Sequence, residues 1–337
     1  MEGFMIATIV SGGIKAAVCG FAIAGFAALL LAGLIVWPLR SPPELASISE
    51  SRKSIDFSTM PEVSRFQARD GTELAYRHYP AHAPASDRIA VVVHGSSGSS
   101  RGAIHALSMA LAARGVQTYA VDIRGHGESG NRGDIAYLGQ LEDDMADLVT
   151  EIRKTNPIAP LTLIGHSSGG GFALRIAGSG IQNLFSRTVL LAPYLGYDAP
   201  SSLPNSGGWA NADIPRFIAL SVLRGLGMPW AESLPAIAFA VPANSAKTLT
   251  GTYSYRLMRD FAASRDFRTD LAAATRPVMI FSGSADELMV SEKYREAVGD
   301  RVTVRIIDGV NHMGIVSNPA AVSAIADDVA TRGTAGT

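Results

Sequence analysis

The pentapeptide Gly165-His166-Ser167-Ser168-Gly169 constrains this chain most, because it joins the apolar run Leu161, Thr162, Leu163, Ile164 to the run Phe172, Ala173, Leu174, Ile176, Ala177. The first run reads as a buried strand and the second as one face of a helix, so the backbone must turn within a few residues. Glycines two positions before and after Ser167 let strand and helix pass closely, and a serine on such a strained turn is held out above the sheet as a nucleophile. A second match to the same pattern, Gly98-Ser99-Ser100-Arg101-Gly102, follows a serine-glycine loop, since the apolar run Ile89–Val93 ends at His94. Context therefore favours Ser167 over Ser100.

A serine hydroxyl needs a base, and the base needs an orienting acid. If the chain order is Ser, acid, His, the base is His312, the one histidine after Ser167; it lies in Asp308-Gly309-Val310-Asn311-His312-Met313-Gly314, just after an alternating strand at 302–307. Asp286 is the preferred acid, because it follows the strand at 278–281 by a short turn and so emerges at the same sheet edge. Glu287 would project differently, Asp266 and Asp270 read as helix residues, and Asp308 is the rival. Backbone N–H groups aimed at a developing oxyanion supply a large electrostatic stabilisation. The loop His94-Gly95-Ser96-Ser97-Gly98-Ser99-Ser100 leaves a buried strand and can aim such donors inward, which makes the N–H groups of Ser96 and Ser168 the expected pair.

Ser167, Asp286 and His312 in this order, with His94-Gly95 upstream, resemble the α/β-hydrolase fold. The segment Asp122-Ile123-Arg124-Gly125-His126-Gly127-Glu128-Ser129 resembles the loop after the next core strand in monoacylglycerol lipases, lysophospholipases and related serine hydrolases. The resemblance covers residues 63–332 and implies a serine hydrolase without fixing its substrate. His94, His126 and His166 read as structural hydrogen-bonding residues.

With 337 residues the chain can hold one large α/β domain plus an insertion. A net charge of −1 gives no reason to expect nucleic acid, and a lone Cys19 excludes an intrachain disulfide. There is no Cys/His cluster with metal-ligand spacing, phosphate loop or dinucleotide fingerprint, so neither metal nor cofactor is expected. Asp70-Gly71 marks a hairpin between strands at 64–69 and 74–79; further strands at Ile89–Val93, Gln117–Val121, 188–191, 278–281 and 302–307 alternate with helices, implying a mostly parallel sheet covered on both faces. Leu138, Leu141, Met145, Leu148 and Ile152 share one helix face, with Glu142, Asp143, Asp144 and Glu151 expected in solvent. Residues 193–275 are too many for a loop. The resemblance implies a helical lid there, and the stretch 228–241, with Trp230 and Phe239, is expected to border an apolar entrance.

Residues 16–37 are uncharged, which is long enough to cross a hydrocarbon core of about 30 Å. A cleavable signal is the rival; its apolar core runs about 7 to 15 residues and ends at small residues, whereas Leu34-Ile35-Val36-Trp37-Pro38 offers no such site. The expected organisation is a tail at 1–15, a transmembrane helix at 16–37, a tether at 38–62 and the hydrolase domain at 63–337. Flanking charges leave the membrane side of the catalytic domain open, and the oligomeric state is open too. The expected activity is a single-pass, membrane-anchored serine hydrolase that cleaves small-molecule, lipid-like or amphiphilic carboxylic esters through an acyl-enzyme. Amide or thioester cleavage on the same residues and a non-catalytic binding protein on this scaffold are the alternatives.

Overall fold

A computed structural model describes residues 2–53, 55–82, 87–245 and 248–331, so residues 332–337 of the expected domain lie outside the described residues. In chain order the elements are α1 (Glu2–Val36), α2 (Ala46–Lys53), β1 (Val63–Gln67), β2 (Glu73–Tyr79), β3 (Ile89–Val93), α3 (Ile104–Ala113), β4 (Gln117–Val121), α4 (Gln140–Arg153), β5 (Leu161–His166), α5 (Ser168–Ala177) and β6 (Arg187–Leu191). They continue with β7 (Ala210–Ala212), α6 (Ile214–Gly225), β8 (Pro235–Phe239), β9 (Thr252–Ser254), α7 (Tyr255–Asp260), α8 (Phe267–Ala273), β10 (Val278–Gly283), α9 (Tyr294–Val298), β11 (Thr303–Ile307) and α10 (Pro319–Thr331). The chain divides into two units, residues 40–212 with 233–337, and residues 1–39 with 213–232.

The larger unit is built on an eight-stranded sheet in the order β1-β2-β4-β3-β5-β6-β10-β11. The hairpin β1-β2 and the pair β2-β4 are antiparallel, and the remaining pairs are parallel. Parallel strands need crossover helices, which cover both faces, so the central strands are apolar at nearly every position. In β3, Ile89, Val91 and Val93 face one core with Leu141 and Met145 of α4 and Phe172 and Ile176 of α5. Ala90 and Val92 face the other, with Leu107 and Leu111 of α3 and Ile325 and Val329 of α10. The strand period of two thus feeds two cores at once.

The periodic helix begins only after Gly139, and Leu141, Met145, Leu148 and Ile152 are buried as expected. Its acidic face is not all solvent-exposed. Asp144 is buried and accepts two 2.7 Å hydrogen bonds from Arg124, and Glu142 pairs with Arg175 at 2.7 Å. Arginines from neighbouring segments reach these carboxylates, a tertiary compensation that helical periodicity does not encode.

Residues 40–62 of the expected tether, 38–62, belong to this unit; they contain α2 and pack on its cores. Ile48 joins one core, Leu45 lies against it and Ile55 against the other. Asn211 Nδ2 donates to the Arg40 carbonyl at 2.8 Å, and Phe57 meets His105 with ring centroids 5.9 Å apart. The apolar residues scattered among serines and prolines here find buried positions, which a reading of composition alone misses. From the insertion this unit takes the three-stranded antiparallel sheet β7-β8-β9 and helices α7 and α8.

In the smaller unit, α1 runs through 35 residues with no proline to interrupt it, so most of the expected tail continues the helix. Its segment Val18–Val36 has a mean hydropathy of 2.5 and is long and apolar enough to cross a membrane. α1 packs along α6, whose Asp213 caps the first turn by accepting from the Arg216 N–H, 3.0 Å away. Ala219 and Leu220 of α6 are buried, while Ile214, Ile218, Val222 and Leu226, four residues apart, form an exposed apolar stripe followed by Trp230, 64 % exposed.

Candidate active site

β5 runs directly into α5, and the turn residue Ser167 is forced to φ 55°, ψ −119°, a left-handed conformation for a side chain that has no local reason to adopt it. The flanking glycines make the turn possible. A Cβ on Gly165 would lie 2.1 Å from the Gly169 carbonyl oxygen, and one on Gly169 would lie 2.2 Å from that of His94. Any side chain at either position would push strand and helix apart. Ser100, the alternative serine, is buried and its N–H donates to Asp122 Oδ1 at 2.5 Å, a structural role in the loop after β3.

His312 follows β11, and its Nδ1 lies 2.9 Å and 3.1 Å from the two carboxylate oxygens of Asp286, which follows β10. Asp286 Oδ1 also accepts the N–H groups of Leu288 and Met289 at 2.9 Å and 2.8 Å. Burial would push this carboxyl up, but the charge and hydrogen bond of His312 and the two backbone donors outweigh it and hold the group below the usual carboxylate range. Asp308 instead accepts from Ser284 Oγ at 2.8 Å on the surface, away from the imidazole. Because Asp286 takes the Nδ1–H, Nε2 is the nitrogen left to act as a base.

The backbone of His312 is clamped from both sides. Its N–H donates to Glu287 Oε2 at 3.0 Å, and His166 Nε2 donates to its carbonyl at 3.1 Å. Burial, with His312 beside it, pushes the His166 imidazole down to about 3, so it stays a neutral donor. Glu287, set aside in the sequence because it would project differently from the turn, therefore bears on the candidate base through the main chain.

Ser167, His312 and Ser96 line one cavity of about 60 Å³. Among the described residues no hydrogen bond joins Ser167 Oγ to His312; such contacts tighten when substrate binds. Ser96 Oγ accepts from Trp209 Nε1 at 2.8 Å, and Ser168 opens α5, where the first N–H groups have no helical acceptor. The loop that carries Ser96 is held from below. His94 Nε2 accepts from Ile123 N–H at 3.3 Å, which leaves Nδ1–H to donate to the Gly95 carbonyl at 2.7 Å. The residue after Ser96, Ser97, adopts φ 63° and donates its N–H to the hydroxyl of Tyr253 at 2.6 Å, while its carbonyl accepts Thr250 N–H at 3.0 Å. Tyr253 in turn bonds His126 Nε2 at 2.6 Å. Burial lowers the pKa of both His94 and His126. His94, His126 and His166 are thus internal struts.

The cavity's apolar lining comes from Trp209, Leu249, Leu288, Met313, Ile104 and Ile48. The expectation that the stretch 228–241 borders the entrance is corrected for its part in this unit, 233–241, which supplies no described lining residue: from the insertion, Trp209 and Leu249 reach the cavity, and Phe239 stands behind Trp209 with ring centroids 6.1 Å apart. Trp209 lies before the apolar stretch 228–241, and its indole N–H, satisfied by Ser96, is what places it. Among the described residues no group of three or more His, Cys, Asp or Glu is arranged to hold a metal ion.

An eight-stranded, mostly parallel sheet with a serine at the β5-α5 elbow defines the α/β-hydrolase fold. The family described as serine aminopeptidase, S33, matches residues 84–316, and the chain belongs to it. A monoacylglycerol lipase of Mycolicibacterium smegmatis is 33% identical over 118 residues, 34% of this chain and 41% of that protein. Mouse monoglyceride lipase is 28% identical over 153 residues, 45% of this chain and 48% of that protein. The chain thus spans less than half the length of these curated relatives. Among solved structures, a soluble variant of monoglyceride lipase from Saccharomyces cerevisiae with a substrate analog superposes with a TM-score of 0.60 at 17% identity, covering 82% of this chain and 97% of that one. Est1E from Butyrivibrio proteoclasticus with bound ferulic acid gives 0.53 at 17% identity, covering 79% and 96%. At these identities the structures share the fold.

Proposed function

We propose that the protein is a membrane-anchored serine hydrolase that cleaves carboxylic esters of amphiphilic acyl substrates through an acyl-enzyme on Ser167. The observation that carries this reading is the Asp286–His312 pair at 2.9 Å, whose histidine lines one cavity with a serine strained at φ 55°. His312 Nε2 takes the proton from Ser167 Oγ as the oxygen attacks the acyl carbon, and Asp286 stabilises the imidazolium. The N–H groups of Ser96 and Ser168 receive the oxyanion. His312 then protonates the leaving alcohol, and water activated by the same nitrogen releases the acid.

The family's description raises a second reading, cleavage of an aminoacyl amide. Recognition of a free α-ammonium calls for a carboxylate in the substrate site, and the cavity's described lining has none: it is serine, glycine, histidine and apolar residues. The lining therefore favours an uncharged acyl group. The anchor is α1, with the exposed α6 stripe beside it in the same unit presenting further apolar surface to lipid, and Trp37 and Trp230 suited to the interfacial zone. The domain limits at 1–15, 16–37, 38–62 and 63–337 are part of this proposal, with 40–62 now a packed segment.

The test is a profile of the purified protein against p-nitrophenyl esters of graded length, an aminoacyl amide and an acyl thioester, with Ser167→Ala as control. Ester turnover that Ser167→Ala abolishes is the expected result; amide turnover exceeding ester turnover would replace this reading with the second.

A further inference from the structure

The cavity beside Ser167 has one wall that comes from outside the family match. Ile48 lies 36 positions before residue 84, where the match begins, yet it is 6 % exposed and lines the cavity with Ser167 and His312. Its helix α2 is otherwise polar, with the sequence Ala-Ser-Ile-Ser-Glu-Ser-Arg-Lys, and Ser47, Ser49, Glu50 and Ser51 around Ile48 are half-buried or exposed. An eight-residue helix of this composition has little intrinsic stability, so its position depends on what it touches. Asn311 Nδ2 donates to Ser51 Oγ at 3.3 Å, while Asn311 Oδ1 accepts Gly314 N–H at 2.7 Å. Asn311 is the residue before His312, so the loop that bears the base also holds α2 in place.

We propose that Ile48 is a specificity-determining residue, and that α2 supplies the part of the acyl site that sets how long a chain this enzyme accepts. The inference rests on the ester-hydrolase reading. It follows from bulk and chemistry: a cavity of about 60 Å³ with no charged group in its described lining leaves chain length as the property to select, and Ile48 is a bulky wall contributed by a segment that the shared scaffold does not constrain.

Two substitutions in full-length protein test this in opposite directions. Ile48→Ala removes three carbons, and the ratio of kcat/KM for p-nitrophenyl octanoate to that for the acetate should rise by about four-fold for each further methylene buried. Ile48→Trp should lower the same ratio. A folding defect in either variant would scale every ester alike and could not move the ratio both ways; melting temperatures measured alongside would register it. Parallel loss on all acyl lengths in both variants overturns the inference while leaving the esterase reading intact. A response to the size of the alcohol at fixed acyl group assigns Ile48 to the leaving-group side and also overturns it. Absence of ester turnover in the unsubstituted protein would show instead that the functional reading itself had failed, and the inference with it.

Discussion

Replacing Asp286 by asparagine exchanges one carboxylate oxygen for an NH₂ and should abolish most of the activity. Asp286 Oδ1 is fixed by the N–H groups of Leu288 and Met289 at 2.9 Å and 2.8 Å. An asparagine in the same place keeps its carbonyl oxygen there, because turning its NH₂ toward two backbone donors would leave both unpaired, at about 1–3 kcal/mol each. The NH₂ then takes the Oδ2 position, 2.9 Å from His312 Nδ1. Two donors cannot share that contact, so the imidazole shifts its proton to Nε2 and loses the lone pair that would accept the Ser167 proton. A wrong tautomer of this kind lowers kcat by about 10⁴, on the order of 5 kcal/mol of transition-state stabilisation. The assay is kcat on p-nitrophenyl butyrate together with the rate of labelling by a fluorophosphonate, with thermal melting to show that the fold survives. Asp308→Asn, which alters only the surface contact with Ser284, should stay close to wild type. The reasoning is refuted if Asp286→Asn retains wild-type kcat, or if Asp308→Asn shows the loss in its place.

Ser167→Ala should eliminate fluorophosphonate labelling, whereas Ser100→Ala should label as wild type, since it is the Ser100 main chain that engages Asp122; labelling that disappears with Ser100→Ala alone would exchange the two serines. Stability should fall as pH drops below the ordinary histidine value of 6.5. Folded His166 resists protonation until about 3, so the unfolded chain binds the extra proton, and the stability it contributes is complete above 6.5 and lost at about 1.4 kcal/mol per pH unit below it. His94 and His126, both lowered by burial, act in the same sense; a urea midpoint unchanged between pH 7.5 and pH 5 would count against neutral buried imidazoles. Full-length protein should remain in the membrane pellet after an alkaline carbonate wash, and its release into the supernatant would remove the α1 anchor.

Local chemistry in the sequence was enough to locate the strands, the elbow, the candidate nucleophile and the candidate base, because each depends on residues adjacent in the chain. A buried strand announces itself by continuous apolar residues, and the elbow by glycines at the two places where a Cβ would meet a carbonyl oxygen at 2.1 Å and 2.2 Å. The choice between Asp286 and Asp308 was not of this kind. Both flank strand ends, and the distance to His312 Nδ1 depends on the parallel pairing of β10 with β11, a tertiary fact. Glu287 on the His312 main chain, Tyr253 under the loop that carries Ser96, and Ile48 in the cavity are joined to their partners across 25, 156 and more than a hundred residues of chain, and no local pattern marks them. The tether shows the same limit: Ile48 and Ile55 are isolated apolar residues among polar ones, and only the surface they land on decides that they are buried. Sequence periodicity reports burial where many neighbours share it, whereas a single side chain's environment is set by whichever distant segment the fold brings against it.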